Sequence, residues 1–140
     1  MRAKIPIEQG GWPAIWSTGN WYEWPLGGEI DFLEFYKNKI HANLCWGGNK
    51  RWDGSWNSAN YPITDFTSKD AKWAEKYHVW MMDWDEKYIR IYLDDVLLNE
   101  TDLSTTYNKG DHGAGEGGYI NPYSNDLEGF GPVSYTHLTL

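Results

Sequence analysis

This chain of 140 residues has one cysteine, few basic side chains and no long apolar run. The single Cys45 cannot close an intrachain disulfide, so cysteine usage points to no redox compartment. Lys and Arg number 12 against 20 Asp and Glu, a formal net charge of −8. That balance argues against nucleic acid or an anionic membrane surface as partner, and suits a neutral polymer. No stretch is long enough for a transmembrane helix, and the opening residues do not read as a signal peptide. Internal repeats and low-complexity segments are missing too. What is abundant is aromatic: ten Trp and ten Tyr, more than a core of this size requires. Flat rings with a polar handle suit sugar faces, which offer C–H patches edged by hydroxyls, although some of these rings must pack the core.

Residues 29–34 read Glu-Ile-Asp-Phe-Leu-Glu. Side chains alternate faces along a strand, so Glu29 and Asp31 share one side and Ile30 and Phe32 the other. Regular continuation would bury Glu34 in the core, where an unpaired carboxylate costs several kcal/mol or is forced neutral. One extra residue, a β-bulge at Phe32-Leu33, returns Glu34 to the acidic face and Phe35 to the core. Three acids in a row repel one another on a merely solvated face, and no Lys or Arg interrupts them before Lys37. A calcium site could use the same oxygens, but such sites favour Asp/Asn/Gly-rich loops. A pair of carboxyls facing one sugar ring is what glycosidic hydrolysis needs.

The pattern along the chain is almost entirely β, one domain at most. Expected strands are 2–7, 12–17, 29–36, 40–46, 77–84, 88–93 and 96–100. Lys37-Asn38, Asp85-Glu86 and Asp94-Asp95 read as tight turns. Residues 47–76 read as polar and irregular, with one helical turn near 70–76; beyond Thr106 the chain is Gly-rich without a clear strand. Short strands and tight turns predict an antiparallel sandwich or jelly roll. Asn99-Glu100-Thr101 fits a glycosylation acceptor, a three-residue pattern that arises often by chance.

Four stretches carry a family resemblance: RAKIP at Arg2 to Pro6, GWPAIW at Gly11 to Trp16, WPLGGEIDFLE at Trp24 to Glu34, and YHVWMMDWDEKYIRIYLDD at Tyr77 to Asp95. In order and spacing the chain resembles glycoside hydrolase family 16, the laminarinase-like glucanases and their galactanase relatives, over roughly residues 2–125. The Glu-x-Asp-x-x-Glu spacing is similar to the bulged form of that family's signature. The resemblance implies an all-β, antiparallel, concanavalin-like jelly roll, incomplete at both ends. Residues 1–131 would form the partial catalytic domain, and 132–140 a non-native tail, since they break the preceding style.

Carried over by position, Glu29 would be the nucleophile, Glu34 the general acid/base, and Asp31 the residue that tunes both. Glu34 must carry a proton while Glu29 is ionised, and the surrounding negative charge favours that. Trp24, Trp12 and Trp16 fall where the family places cleft aromatics, Trp16 serving the core equally well. His78 and Trp84 are expected on a strand adjacent to the acids, as further substrate contacts, with packing the safer reading for His78. Where the resemblance would place Thr-x-His, the chain reads Asn43-Leu44-Cys45. The expected function is endo-acting, retaining hydrolysis of a β-1,3- or mixed-linkage glucan, with a non-catalytic carbohydrate-binding module or a transglycosylase as the alternatives. No cofactor is expected; a structural calcium goes with the family, without a visible ligand set here. The implied partner is polysaccharide, the complete protein a monomer, the location extracellular or periplasmic. This chain alone is expected to be inactive.

Overall fold

The structure, a computed structural model, describes residues 1–20, 22–115 and 118–124. The expected tail at 132–140 lies outside them. Two four-stranded antiparallel sheets form the body. The first takes β2 (Ala14–Thr18), β3 (Glu29–Tyr36), β4 (Lys39–Gly47) and β5 (Gly54–Pro62) in that spatial order. The second takes β1 (Arg2–Ala3), β6 (His78–Trp84), β7 (Tyr88–Leu93) and β8 (Val96–Asp102). A short pair, β9 (Ala114–Gly115) with β10 (Gly118–Tyr119), sits apart.

The inner faces of the two sheets meet in one apolar core. β3 contributes Ile30, Leu33 and Phe35; β4 contributes Ile40, Ala42, Leu44 and Trp46; β7 contributes Ile89, Ile91 and Leu93. Burying each such aliphatic side chain is worth about 1.5–3 kcal/mol. Polar groups also cross between the sheets. Tyr61 donates to the Leu98 carbonyl (2.6 Å), and the Asn99 amide donates to the carbonyls of Ala42 (2.7 Å) and Asn57 (3.2 Å). Asn99 of the glycosylation pattern is therefore buried and already hydrogen-bonded.

Two of the expected turns form in place, and the third sits one residue later, over Glu86-Lys87, closed by the Asp85 N–H on the Tyr88 carbonyl (3.0 Å). Lys37 and Asn38 (φ 50° and 59°) join β3 to β4, and Asp94 and Asp95 (φ 49° and 64°) join β7 to β8. Positive φ at both central residues matches the twist of a hairpin. Three expectations need correction. The first strand pairs only over Arg2–Ala3, opposite Val79 and His78, because its partner β6 begins at His78. Residues 47–76 hold a full strand, β5, and a helical turn at Thr64–Thr67 besides the one at Trp73–Glu75. Finally, β6 is not beside the acidic strand; it belongs to the opposite sheet.

Candidate functional site

The bulge lies where the acid spacing requires it. Across β3 and β4, Asp31 pairs with Asn43 and Glu34 with His41, so Phe32 and Leu33 together oppose Ala42. Across β2 and β3, Ile15 pairs with Leu33 and Trp16 with Asp31, which leaves Phe32 as the unmatched residue. Leu33 is thereby turned into the core and Glu34 out of it.

Opposed residues in antiparallel strands share a face, so the register lays out the surface around the acids. One row runs Thr18, Glu29, Cys45, Trp56; the next Trp16, Asp31, Asn43, Ser58; the third Ala14, Glu34, His41, Asn60. A cleft of about 320 Å³ opens on this face, lined by Trp12, Ala14, Trp16, Glu29, Asp31 and Glu34. A larger hollow, about 610 Å³, lies near Glu86, Tyr107 and Ser124 and is lined by none of the acids.

Each glutamate is held by an indole. The Trp12 Nε1–H donates to Glu34 Oε1 at 2.7 Å, and the Trp24 Nε1–H donates to Glu29 Oε2. Both rings remain open to solvent, 55% for Trp12 and 38% for Trp24. Trp12 also stacks on Tyr36, with centroids 4.7 Å apart and planes 24° apart. One oxygen of each carboxylate is thus fixed, leaving the other for chemistry.

The loop that carries Trp24 is itself braced. Arg51 forms a two-pronged bond to Glu23 (2.9 and 2.8 Å), and Asn108 takes the Gly47 N–H (2.7 Å) while donating to the Leu26 carbonyl (3.0 Å). Gly28, at φ +79°, leaves no room for a side chain against the Tyr123 ring. The buried phenol of Tyr123 accepts the Glu29 N–H (3.1 Å), and its one O–H is shared between the carbonyls of Glu29 (2.8 Å) and Cys45. It fastens the start of the acidic strand to its neighbour.

Asp31 differs from the flanking acids. It is 5% exposed, and its Oδ2 accepts a bond from the Asn43 amide at 3.2 Å. Burial pushes its carboxyl up to about 8, with the negative charge of Glu29 and then Glu34 pushing the same way against the Asn43 bond. Near neutral pH it is mostly a neutral acid able to donate a hydrogen bond to Glu29. Among the described residues, no Lys or Arg pairs with any of the three acids, and no cluster of three or more His, Cys, Asp or Glu could hold a metal ion.

Five of the residues singled out from sequence as cleft aromatics or acids line this region: Glu29, Asp31, Glu34, Trp12 and Trp16, with Trp24 bonded to Glu29 at its edge. His78 and Trp84 do not. His78 is 6% exposed beneath the opposite sheet, stacked on Trp73, with Nδ1 2.6 Å from Asp94 and Nε2 2.8 Å from the Trp73 carbonyl. Trp84 packs against the core edge-on to Tyr123. The face that His78 shares with Trp80 is the core face, which fits the packing reading of His78 rather than a substrate contact. Two residues of the site carry no sequence signal for these roles: Asn43 stands where the resemblance would place Thr, and Tyr123 sits in a Gly-rich stretch without a motif.

The chain is similar to several known proteins. A beta-1,3-glucan-binding protein of Penaeus monodon is 34% identical over 115 residues, covering 76% of this chain and 31% of that protein. Glucan endo-1,3-beta-glucosidase A1 of Niallia circulans is 29% identical over 98 residues, covering 67% of this chain and 14% of that protein. Among solved structures, one described with endo-acting O-glycanases that members of the human gut microbiota express to initiate mucin breakdown superposes with a TM-score of 0.66. It is 29% identical and covers 87% of this chain and 41% of that one. The chain thus spans less than half the length of each of these relatives. The family description Glycosyl hydrolases family 16 matches residues 1–114, and the chain belongs to that family.

Proposed function

We propose that this chain carries the catalytic face of an endo-acting, retaining glycoside hydrolase acting on a β-linked polysaccharide, most simply a β-1,3- or mixed-linkage glucan. The observation that carries it is the cleft in which Glu29 and Glu34 are each fixed by an indole N–H, with Asp31 between them. In a double displacement Glu29 attacks the anomeric carbon while Glu34 protonates the leaving oxygen; Glu34 then takes a proton from the water that releases the sugar. Such a reaction needs the two carboxyls about 5–5.5 Å apart. Asp31, held neutral by burial, adds no second negative charge beside the nucleophile and can steady it by donating a hydrogen bond. The similarity to the glucan endo-1,3-beta-glucosidase of Niallia circulans supports the glucan. A polysaccharide too large to enter a cell supports action outside it.

The Penaeus monodon relative, named for binding alone, favours a second reading: a carbohydrate-binding module on the same scaffold. Binding needs the aromatic rings but not an aligned pair of acids. The two are separated in the full-length protein with laminarin, lichenan, agarose and carrageenan, by following reducing ends and the anomer first released. Glu29→Gln and Glu34→Gln should each lower turnover, by about 10²–10⁴-fold for loss of the acid–base group, with binding retained. Near-normal rates in either variant sink the mechanism. Binding by the unmodified protein with no reducing ends released selects the module; products longer than the substrate select transglycosylation.

A further inference from the structure

Trp56 lies outside the cleft just described, yet it shares its face. The register Glu29–Cys45–Trp56 places it in the nucleophile's own row, two strands away. Two interstrand spacings are about 9.5 Å, too far for the sugar being cleaved and suitable for one further along the chain. In β5 the residues on the core side, Asn57 and Tyr61, reach across to the other sheet. The alternate residues Trp56, Ser58 and Asn60 face outward and are exposed.

The pose of the ring is what separates it from an ordinary surface tryptophan. A Cβ on Gly54, two residues back on the same face, would meet the Trp56 Nε1 at 2.7 Å and Cε2 at 3.3 Å. The indole therefore lies down along the strand in the space that the missing side chain leaves. The same Cβ would meet Cys45 Sγ at 2.7 Å, so the thiol lies alongside in the same hollow. Reaching back over Gly54 and still 46% exposed, the ring is open to a ligand from solvent. Ser58 and Asn60 supply a hydroxyl and a carboxamide beside it, the groups that sugar hydroxyls pair with.

We propose that Trp56 is a stacking platform for a pyranose ring of the glycan chain, at a position beyond the sugar held between Glu29 and Glu34. The occupant is the same neutral polysaccharide, since Trp56 stands on the face of the acids, in the row of Glu29 with the buried Cys45 between them. This rests on the carbohydrate reading above, and the experiment separates the two. In full-length protein carrying Glu29→Gln, so that ligand is not consumed, calorimetry measures binding of laminaritriose and laminarihexaose.

Trp56→Ala should weaken the hexaose about tenfold, equivalent to about 1.4 kcal/mol, and the triose much less. Trp56→Phe should recover most of the loss. Tyr77→Ala, at an exposed aromatic just ahead of β6 in the other sheet, should change neither affinity. If the parent binds both sugars and Trp56→Ala leaves the hexaose unchanged, or weakens both equally, the platform is refuted while the carbohydrate reading stands. A fall in melting temperature with equal loss of both ligands likewise marks a packing role and overturns it. A parent that binds neither sugar removes the glucan reading and the platform with it.

Discussion

Replacing Asp31 with Asn should change how the stability of the fold depends on pH. The buried carboxyl is pushed from an ordinary 3.8 up to about 8. Between those values the native state holds a proton that the unfolded chain has released. Unfolding therefore sheds a proton, and stability falls as pH rises across the window. The stabilisation is complete below about pH 4 and lost as pH passes about 8. The slope is about 1.4 kcal/mol per pH unit, and the full span, roughly four such units, sets a ceiling of 5–6 kcal/mol. An Asn side chain has nearly the same shape, can still bond the Asn43 amide, and does not titrate. Urea unfolding followed by tryptophan fluorescence, at several values between about pH 4.5 and 7.5, should show the unsubstituted protein losing stability relative to Asp31→Asn as pH rises. Parallel curves for the two proteins would mean that Asp31 is ionised in the native state, and the account of a neutral central acid would fail.

Two further substitutions probe the supports of the glutamates. Trp12→Phe keeps a ring to stack on Tyr36 but removes the bond to Glu34; kcat on laminarin should fall about tenfold, near 1.4 kcal/mol in barrier, with little change in melting temperature. A stability loss with kcat intact would make Trp12 a packing residue instead. Tyr123→Phe deletes only the hydroxyl that serves the backbone of Glu29 and Cys45, and should cost about 1–3 kcal/mol of stability for the buried groups left unpaired. Denaturant unfolding reads this directly, and an unchanged midpoint would show that the strands close without it.

The acidic strand was legible because an acid in an apolar slot is expensive, so the position of the bulge followed from the phase of Ile30, Leu33, Glu34 and Phe35. The hairpins were legible for an equally local reason, since Lys37-Asn38 and Asp94-Asp95 tolerate left-handed backbone between apolar runs. β5 was hidden. Its inward positions include Ser55, Asn57 and Ala59, and Asn57 contributes hydrogen bonds to Glu100 (3.1 Å) and Thr101 (2.8 Å) rather than apolar area. Without alternation in polarity, a strand reads as loop. The placement of His78 was hidden differently: period two sorts side chains onto faces but does not tell which sheet a strand joins. Nor does a ring in the sequence reveal where its N–H will point, so Trp12 and Trp24 could be read as sugar platforms but not as clamps on Glu34 and Glu29.

The burial of Asn99 bears on how this protein is to be made. Its side-chain amide is committed to the Ala42 and Asn57 carbonyls between the sheets, where an attached oligosaccharide has no space. A secretory host that modifies acceptor sequences does so on chain that has not yet closed, and reads Asn99-Glu100-Thr101 before the sandwich hides it. Any molecule modified at that moment is barred from packing β8 against β4 and β5. The order of two events, glycan transfer and sheet closure, then sets the yield of folded protein, and a bacterial cytoplasm without that transferase avoids the competition altogether.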